Sequence, residues 1–464
     1  MLNRSHWHRL VIGAMESAFA LTAGITCARS QFPTPADGDW AEGRGRLAVR
    51  GGWRFLHLEG SPREMGLQHG RLLRPVVQRV FEEYTRMIRI FRALSRSELL
   101  RRGRRLEPHI PAPYLEEMHG LADGAAMAYE DILIAHTFLE SVQAVQCSCF
   151  AAYGAATRGG PATVAQGRPE YHRMGGELIF GRNLDFVSMG VAQRCGLIIF
   201  CKPDGGIPFL SIAWPGWCGA VTAVNLAGLC IGPLNVHRVS ANLEGTPYVI
   251  SFRRMAQEAA TCDEAVALLR ATRRTYSNNI LLAQTAPARR AVVAEYTADE
   301  VVVREANPGD DFIAATNHFR KLGRPAEPPR RSGRGRYTLL VARLRRSHGA
   351  IGLRTDILAD PRIHLPNSLH TLVAAPERRT FRLAMGRMPA AEGPYRTLSY
   401  DEYGIRWATP ATRGEEARDS VHGREMLAAS GCCKRPCAIV QCDSQGPADG
   451  GTGANGASPE DSGK

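Results

Sequence analysis

Along the chain the spacing of apolar residues changes twice. Between Leu47 and Gln146 they recur near a 3.6 period: Met65, Leu67, Leu72, Leu73, Val76, Val77 and Val80 form one stripe, and Leu115, Met118, Leu121, Ala122 and Ala125 another. Residues three and four apart share one helical face, so this spacing predicts amphipathic helices. Gly66 and Gly70 lie four apart in the first stripe, leaving a notch where a second backbone can approach. From Cys147 to about Pro410 the pattern becomes short apolar runs between turn residues, predicting strands over 194–202, 207–214, 220–224, 229–235, 279–283, 291–296, 301–304, 312–316 and 368–375. Two helical stretches, 249–271 and 337–346, interrupt them and are long enough to cross the face of a sheet. Beyond Arg413 the chain is polar and Gly-rich, and 446–464 has almost nothing to bury, which predicts disorder. The expected organisation is therefore a poorly ordered or signal-like extension (1–46), a helical pro-segment (47–146), a catalytic domain (147–410) and a disordered tail (411–464).

Composition narrows the function classes. With 464 residues and 44% hydrophobic content the chain can bury a large core. The net charge of +13 would suit an anionic partner, but only four of the 58 basic residues are lysines, and the arginines spread over the whole chain. The clusters at 101–105 and 324–346 do not interleave with aromatics as a single-strand binding groove does, so no nucleic-acid partner is expected. The twelve cysteines are irregularly spaced, and the crowding of Cys432, Cys433, Cys437 and Cys442 supplies one ligand set where a zinc site wants two. No His-Glu-x-x-His, P-loop or Gly-x-Ser-x-Gly occurs. The first thirty residues begin basic, but Glu16 interrupts the apolar run from Leu10 to Cys27. A cytoplasmic protein is thus the expectation, with secretion as the alternative. Other apolar runs fall far below the ~18 residues of a membrane-spanning helix, so no stable membrane insertion is expected.

The candidate chemistry sits where the helical pattern ends. Cys147-Ser148-Cys149-Phe150-Ala151-Ala152-Tyr153-Gly154 is followed, after a strand-like stretch, by Gly181-Arg182-Asn183-Leu184-Asp185-Phe186. A cysteine is most often a small buried hydrophobe, and an internal thiol becomes an N-terminal nucleophile only if the protein cuts its own backbone before it. Cutting between Gln146 and Cys147, by thiol attack on the preceding carbonyl and hydrolysis of the thioester, frees an α-amine whose reference pKa of about 7.7–8.0 lets it act as a base at neutral pH. Nucleophile and base then belong to one residue, and no partner histidine is needed. Arg182 is the cation available to lower the thiol pKa.

Several stretches in order carry a family resemblance. Gly60-Ser61-Pro62 through Gly66-Leu67-Gln68-His69-Gly70, Glu117 to Gly124, Cys147 to Gly154, Gly181 to Asp185, Asn225-Leu226-Ala227-Gly228-Leu229 to Asn235, Thr316-Asn317 and Gly335-Arg336-Tyr337 together resemble the N-terminal nucleophile (Ntn) hydrolases. In particular they resemble the acyl-coenzyme A:isopenicillin N (6-aminopenicillanic acid) acyltransferase-like family of self-processing acyltransferases and amidohydrolases, with choloylglycine hydrolases as more distant relatives. The resemblance implies an α+β fold, an αββα sandwich of two antiparallel sheets between helical layers. It also implies cleavage at Gln146–Cys147, with the fragments 1–146 and 147–464 remaining associated. Cys147 becomes nucleophile and amine base, Asp185 orients the amine, Arg182 acts on the sulfur, Asn235 donates to the oxyanion, and Asn317 and Arg336 hold Cys147 and nearby carboxylates. The implied substrate is a small acyl amide or acyl-CoA, with no cofactor and no metal.

Four features depart from the isopenicillin enzyme's pattern. Gln146 stands where that enzyme has glycine, and residues 158–175 lengthen the loop between the first two strands. Cys149 shares a strand face with Cys147, as a second pocket thiol or an oxidation partner. Arg182 resembles the choloylglycine side of the superfamily, which leans toward amide hydrolysis. Three alternatives stay open: a papain-like hydrolase without self-cleavage, with His237 or His318 as base, a noncatalytic binding relative, and a phospholipase B-like lipid hydrolase on the same fold.

Overall fold

Two sheets run through the protein, seen here in a computed structural model that describes residues 36–407 except 93, 142–144, 160–173, 187, 189–190, 237–241, 323–332 and 403. The strands are β1 (Gly38–Glu42), β2 (Gly45–Arg50), β3 (Trp53–Gly60), β4 (Val145–Ala152), β5 (Ile179–Phe186), β6 (Leu197–Pro203), β7 (Phe209–Ala213), β8 (Ala223–Asn225), β9 (Cys230–Asn235), β10 (Asn278–Gln284), β11 (Arg290–Tyr296), β12 (Val301–Arg304), β13 (Phe312–Thr316), β14 (Ser368–Ala375), β15 (Thr380–Met385), β16 (Arg396–Asp401) and β17 (Gly404–Trp407). Ten of them form one sheet in the order β1-β2-β3-β6-β7-β8-β9-β10-β11-β12, and seven form the other in the order β13-β4-β5-β14-β15-β16-β17. All neighbours are antiparallel except β3 and β6.

Period-two alternation along β4 builds two cores at once. Cys147, Cys149 and Ala151 enter the large core shared by the two sheets, whereas Phe150 and Ala152 join a second core with Leu340 and Leu344 of helix α7 (Gly333–Arg346). The sheets approach so closely that a Cβ at Gly232 on β9 would lie 2.7 Å from the Cys149 sulfur. Helices α5 (Tyr248–Glu258) and α6 (Cys262–Ala271) pack on β8–β11. The result is the expected α+β, αββα sandwich.

The N-terminal half supplies α1 (Pro62–Arg92), α2 (Arg96–Leu106), α3 (Ala112–Ala125) and α4 (Tyr129–Thr137). Helix α1 is kinked at Leu73, two residues before Pro75, which cannot donate to the Arg71 carbonyl and crowds it. Before the kink α1 meets α3 glycine on glycine: a Cβ at Gly66 would overlap the Glu117 carbonyl, one at Gly120 the Arg63 carbonyl, and one at Gly124 would sit 2.5 Å from the Leu67 carbonyl. The notch anticipated at Gly66 and Gly70 therefore has a matching notch on its partner helix.

Three readings need correction. The N-terminal half is not purely helical, because β1–β3 precede α1 and extend the larger sheet, and β1 together with the start of β2 occupies residues assigned to the poorly ordered extension. The single helix expected over 249–271 is two helices, broken at Ala259, whose extended backbone (φ −116°, ψ 132°) ends α5, and restarted by Thr261, whose side chain caps Glu264 N. Strands β15–β17 were not anticipated at all. The signal-like segment, most of the 158–175 loop and the Cys-rich tail lie outside the described residues.

Candidate active site

Antiparallel pairing of β4 with β5 sets Cys147 opposite Leu184, Cys149 opposite Arg182 and Gln146 opposite Asp185. Directly opposed residues share a face, so the two thiols, Leu184 and Arg182 project together into the large core. Arg182 is completely buried, and its Nη2 donates to the Cys147 sulfur at 3.3 Å. A separate set of side chains grips the main chain of the same cysteine. Asn317 Oδ1, just past β13, accepts from Cys147 N at 2.7 Å, and Arg336 Nη1, from α7, donates to Cys147 O at 3.0 Å. Arg336 Nη2 also donates to Asn317 Oδ1 at 2.9 Å and to Gln146 Oε1 at 3.4 Å, while its Nη1 lies 3.6 Å from Asp185 Oδ2. Four of the six expected side chains, Arg182, Asp185, Asn317 and Arg336, thus gather around a fifth, Cys147.

Asn235 joins through its backbone: its carbonyl accepts from Asn317 Nδ2 at 2.8 Å. Asn225, from the same hairpin, is a brace. Its Nδ2 donates to the Ala256 and Ala259 carbonyls and its Oδ1 accepts from Leu229 N, tying the hairpin to the end of α5. Of the two histidines offered as a separate base, His237 lies outside the described residues, and His318 Nδ1 pairs with Thr316 Oγ1 at 2.9 Å while burial and nearby arginines hold its pKa down to about 4.

In the continuous chain the electrostatics oppose a free thiolate. Burial pushes the Cys147 thiol up, and Arg182 and Arg336 only partly pull it back. Arg182 therefore acts on the sulfur in the expected direction without overcoming desolvation. Burial likewise raises Asp185 to about 7 against the pull of Arg336, and Cys149 to about 12. Among the described residues no cluster of three or more His, Cys, Asp or Glu offers a metal site, and no helix is long and apolar enough to cross a membrane.

Leu184, the cross-strand partner of Cys147, also lines a feature that the sequence did not announce, a small apolar pocket of about 80 Å³ whose lining does not include Cys147 itself. Leu184, opposite Cys147, and Phe186 line one side, Val77, Val80, Tyr84 and Ile88 of α1 another, and Trp214, Trp217 and Val221 a third. Two buried histidines hold the 214–221 segment in place. His69 Nε2 accepts from Gly216 N at 2.9 Å, and His136 Nε2 from Cys218 N at 2.8 Å. Burial holds their pKa values down to about 3 and about 4, so both rings are neutral acceptors. No local signal marks this pocket, because its walls come from separate segments spread between Val77 and Val221.

Two curated relatives match with modest identity. An uncharacterized protein of Archaeoglobus fulgidus is 26% identical over 316 residues (60% of this chain, 52% of that protein), and protein dcd1A of Dictyostelium discoideum is 24% identical over 247 residues (46% and 51%). The chain spans about half the length of these relatives. Among solved structures, a Caenorhabditis elegans ortholog of N-acylethanolamine-hydrolyzing acid amidase aligns with TM-score 0.38 and 15% identity, over 57% of this chain and 100% of that one. A mutant of the conjugated bile acid hydrolase from Clostridium perfringens aligns with TM-score 0.38 and 11% identity, over 57% and 97%. A family profile covers residues 173–351, which take in Arg182, Asp185, Asn235, Asn317 and Arg336 and begin after Cys147. Through that stretch the chain resembles the acyl-coenzyme A:6-aminopenicillanic acid acyl-transferase family.

Proposed function

We propose that this protein is a self-processing cysteine acyltransferase or amidohydrolase that cuts the Gln146–Cys147 bond and then uses Cys147 to form a thioester acyl-enzyme from a small N-acyl amide or acyl-CoA. The observation that carries the reading is the double hold on one residue, with Arg182 on the sulfur at 3.3 Å and Asn317 and Arg336 on the N–H and C=O at 2.7 and 3.0 Å. In self-processing, the sulfur attacks the Gln146 carbonyl carbon, the C–N bond breaks with its nitrogen taking a proton, and water hydrolyses the thioester. The products are the Gln146 carboxylate, a free thiol and a free Cys147 α-amine. Asn317 Oδ1, already the acceptor for this nitrogen, orients the new amine.

Turnover repeats this chemistry on substrate. The α-amine takes the thiol proton as sulfur attacks the acyl carbonyl, then returns it to the leaving amine of an amide or the leaving thiol of an acyl-CoA, and water or an acceptor amine releases the acyl group. Asp185 and Arg336 hold the amine's surroundings, and the Asn235 side chain supplies the oxyanion donor, a contribution worth about 2.7–4 kcal/mol where it has been measured in hydrolases. The apolar lining of the pocket beside Leu184 favours an apolar acyl group.

N-terminal sequencing of purified protein tests the first step: two fragments are expected, the larger beginning at Cys147, with Cys147→Ala staying whole. An intact wild-type chain after prolonged incubation at neutral pH would overturn it. A panel of acyl amides and acyl-CoA donors of increasing chain length tests the second, with release rising with chain length until the pocket is filled.

A further inference from the structure

Behind Arg182 stands a second tier of buried polar side chains. Arg182 Nε donates to Thr222 Oγ1 at 2.8 Å, and Thr222 Oγ1 lies 2.9 Å from His370 Nε2. The three side chains come from β5, the segment before β8, and β14, and none is more than 2% exposed. The other end of the guanidinium is held only weakly, since Nη1 has no hydrogen-bond partner and the remaining acceptors are the soft sulfurs of Cys147 and Cys149. The bond to Thr222 is therefore what fixes the plane of the fork.

We propose that Thr222 and His370 form a positioning relay that aims Arg182 at the Cys147 sulfur, an inference that rests on Cys147 being the nucleophile. Burial and the neighbouring Arg182 hold His370 down to about 3, so its ring is neutral. The Thr222 hydroxyl donates to the Val221 carbonyl at 2.9 Å, so a neutral His370 ring with its proton on Nε2 donates to one lone pair of Thr222 Oγ1 while the other accepts from Arg182 Nε. Without the hydroxyl the cation leaves the sulfur, and thiolate formation becomes harder. Thr222 directly follows Val221, which lines the apolar pocket, so the relay also links the pocket to the sulfur. The charged and titratable groups facing the thiol are Arg182 and Asp185 from β5, Arg336 from α7 and Cys149 from β4. His370 stands behind Arg182 from β14.

The test is the pH dependence of iodoacetamide labelling of Cys147, followed by mass spectrometry in the processed full chain, with melting temperature as the fold control. Thr222→Val should raise the labelling midpoint by at least about half a pH unit and slow labelling at pH 7 by about threefold or more, while Thr222→Ser restores wild-type behaviour. A Thr222→Val protein that folds normally and titrates like the wild type overturns the relay. Should Thr222→Val fail to fold, Thr222→Ala and His370→Leu carry the same comparison. Failure of the underlying reading looks different: Cys147→Ala would still be cut and active, whatever Thr222 does. Cys147 that resists labelling at every pH in the wild type overturns the relay as well.

Discussion

Removing the carboxylate of Glu117 tests how the N-terminal helices are held to the rest of the molecule. Glu117 on α3 and Arg253 on α5 form a bidentate pair, Nη2 to Oε2 at 3.2 Å and Nη1 to Oε1 at 3.4 Å, and each side chain is only 2% exposed. In Glu117→Ala the guanidinium keeps the Cys218 carbonyl and Gln257 Oε1, both at 3.1 Å, and the Phe209 ring. Its charge, however, is left uncompensated. Breaking a buried pair from one side costs about 3–5 kcal/mol. An unfolding entropy of about 2.1 cal/mol/K per residue, over the roughly 335 described residues, gives ~0.7 kcal/mol/K, so the melting temperature should fall by about 4–7 °C. Glu117→Gln keeps the shape and loses less. Replacing both partners, as Glu117→Met with Arg253→Met, should recover most of the loss, because no lone charge remains. The assay is thermal unfolding followed by circular dichroism. A Glu117→Ala protein melting within about 1 °C of wild type would refute the reasoning.

Three more predictions concern other parts of the structure. Gly120→Ala drives a methyl group into the Arg63 carbonyl and should cost about 3 kcal/mol or more, read as a fall in melting temperature or in soluble yield. Asn317→Leu strips partners from Cys147 N, Arg336 Nη2 and the Asn235 carbonyl at once; cutting at Gln146–Cys147 should slow by about a hundredfold in a gel time course, and an unchanged rate would remove Asn317 from the mechanism. Burial holds His136 down to about 4, against an ordinary value of about 6.5. The unfolded chain therefore takes up the extra proton between these values, so the contribution of His136 is complete above pH ~6.5 and is lost as pH falls toward ~4. His136→Gln should flatten the fall in melting temperature across that window, and an equally steep fall would count against the assignment.

What was legible in the sequence was whatever local pattern encodes. Cys147 and Arg182 stand out because both sit in short strands whose alternation and flanking residues carry a resemblance, and the strands at Val301–Arg304, Phe312–Thr316 and Ser368–Ala375 coincide with their apolar runs. Strand β2 escaped notice because its alternation, Gly45-Arg46-Leu47-Ala48-Val49-Arg50, is short and lies next to a strong helical signal. Strands β15–β17 sit among Gly, Pro and Arg that read as loop. Thr222 and His370 gave no sign at all: each is an ordinary polar residue in an apolar stretch, and its meaning arises from pairing across 148 positions of sequence. Asn235 was expected as an oxyanion donor through its side chain; that its carbonyl also accepts from Asn317 Nδ2 is a main-chain contact that no side-chain pattern reveals.

The glycine-on-glycine crossing of α1 and α3 has a mechanical consequence. It lies wholly before the kink at Leu73, while the pocket-lining residues Val77, Val80, Tyr84 and Ile88 lie wholly after it. The first half of the helix is bolted backbone to backbone, and the last ties to α3 are the long side chains of Arg74 and Gln78. The second half is held by side-chain packing along its length, Val80 with Val191 and Cys195 and Ile88 with Leu99 and Ile134. For the acyl group proposed above, the kink at Leu73 therefore divides the helix into a half fixed by backbone contact and a half whose side chains line the pocket.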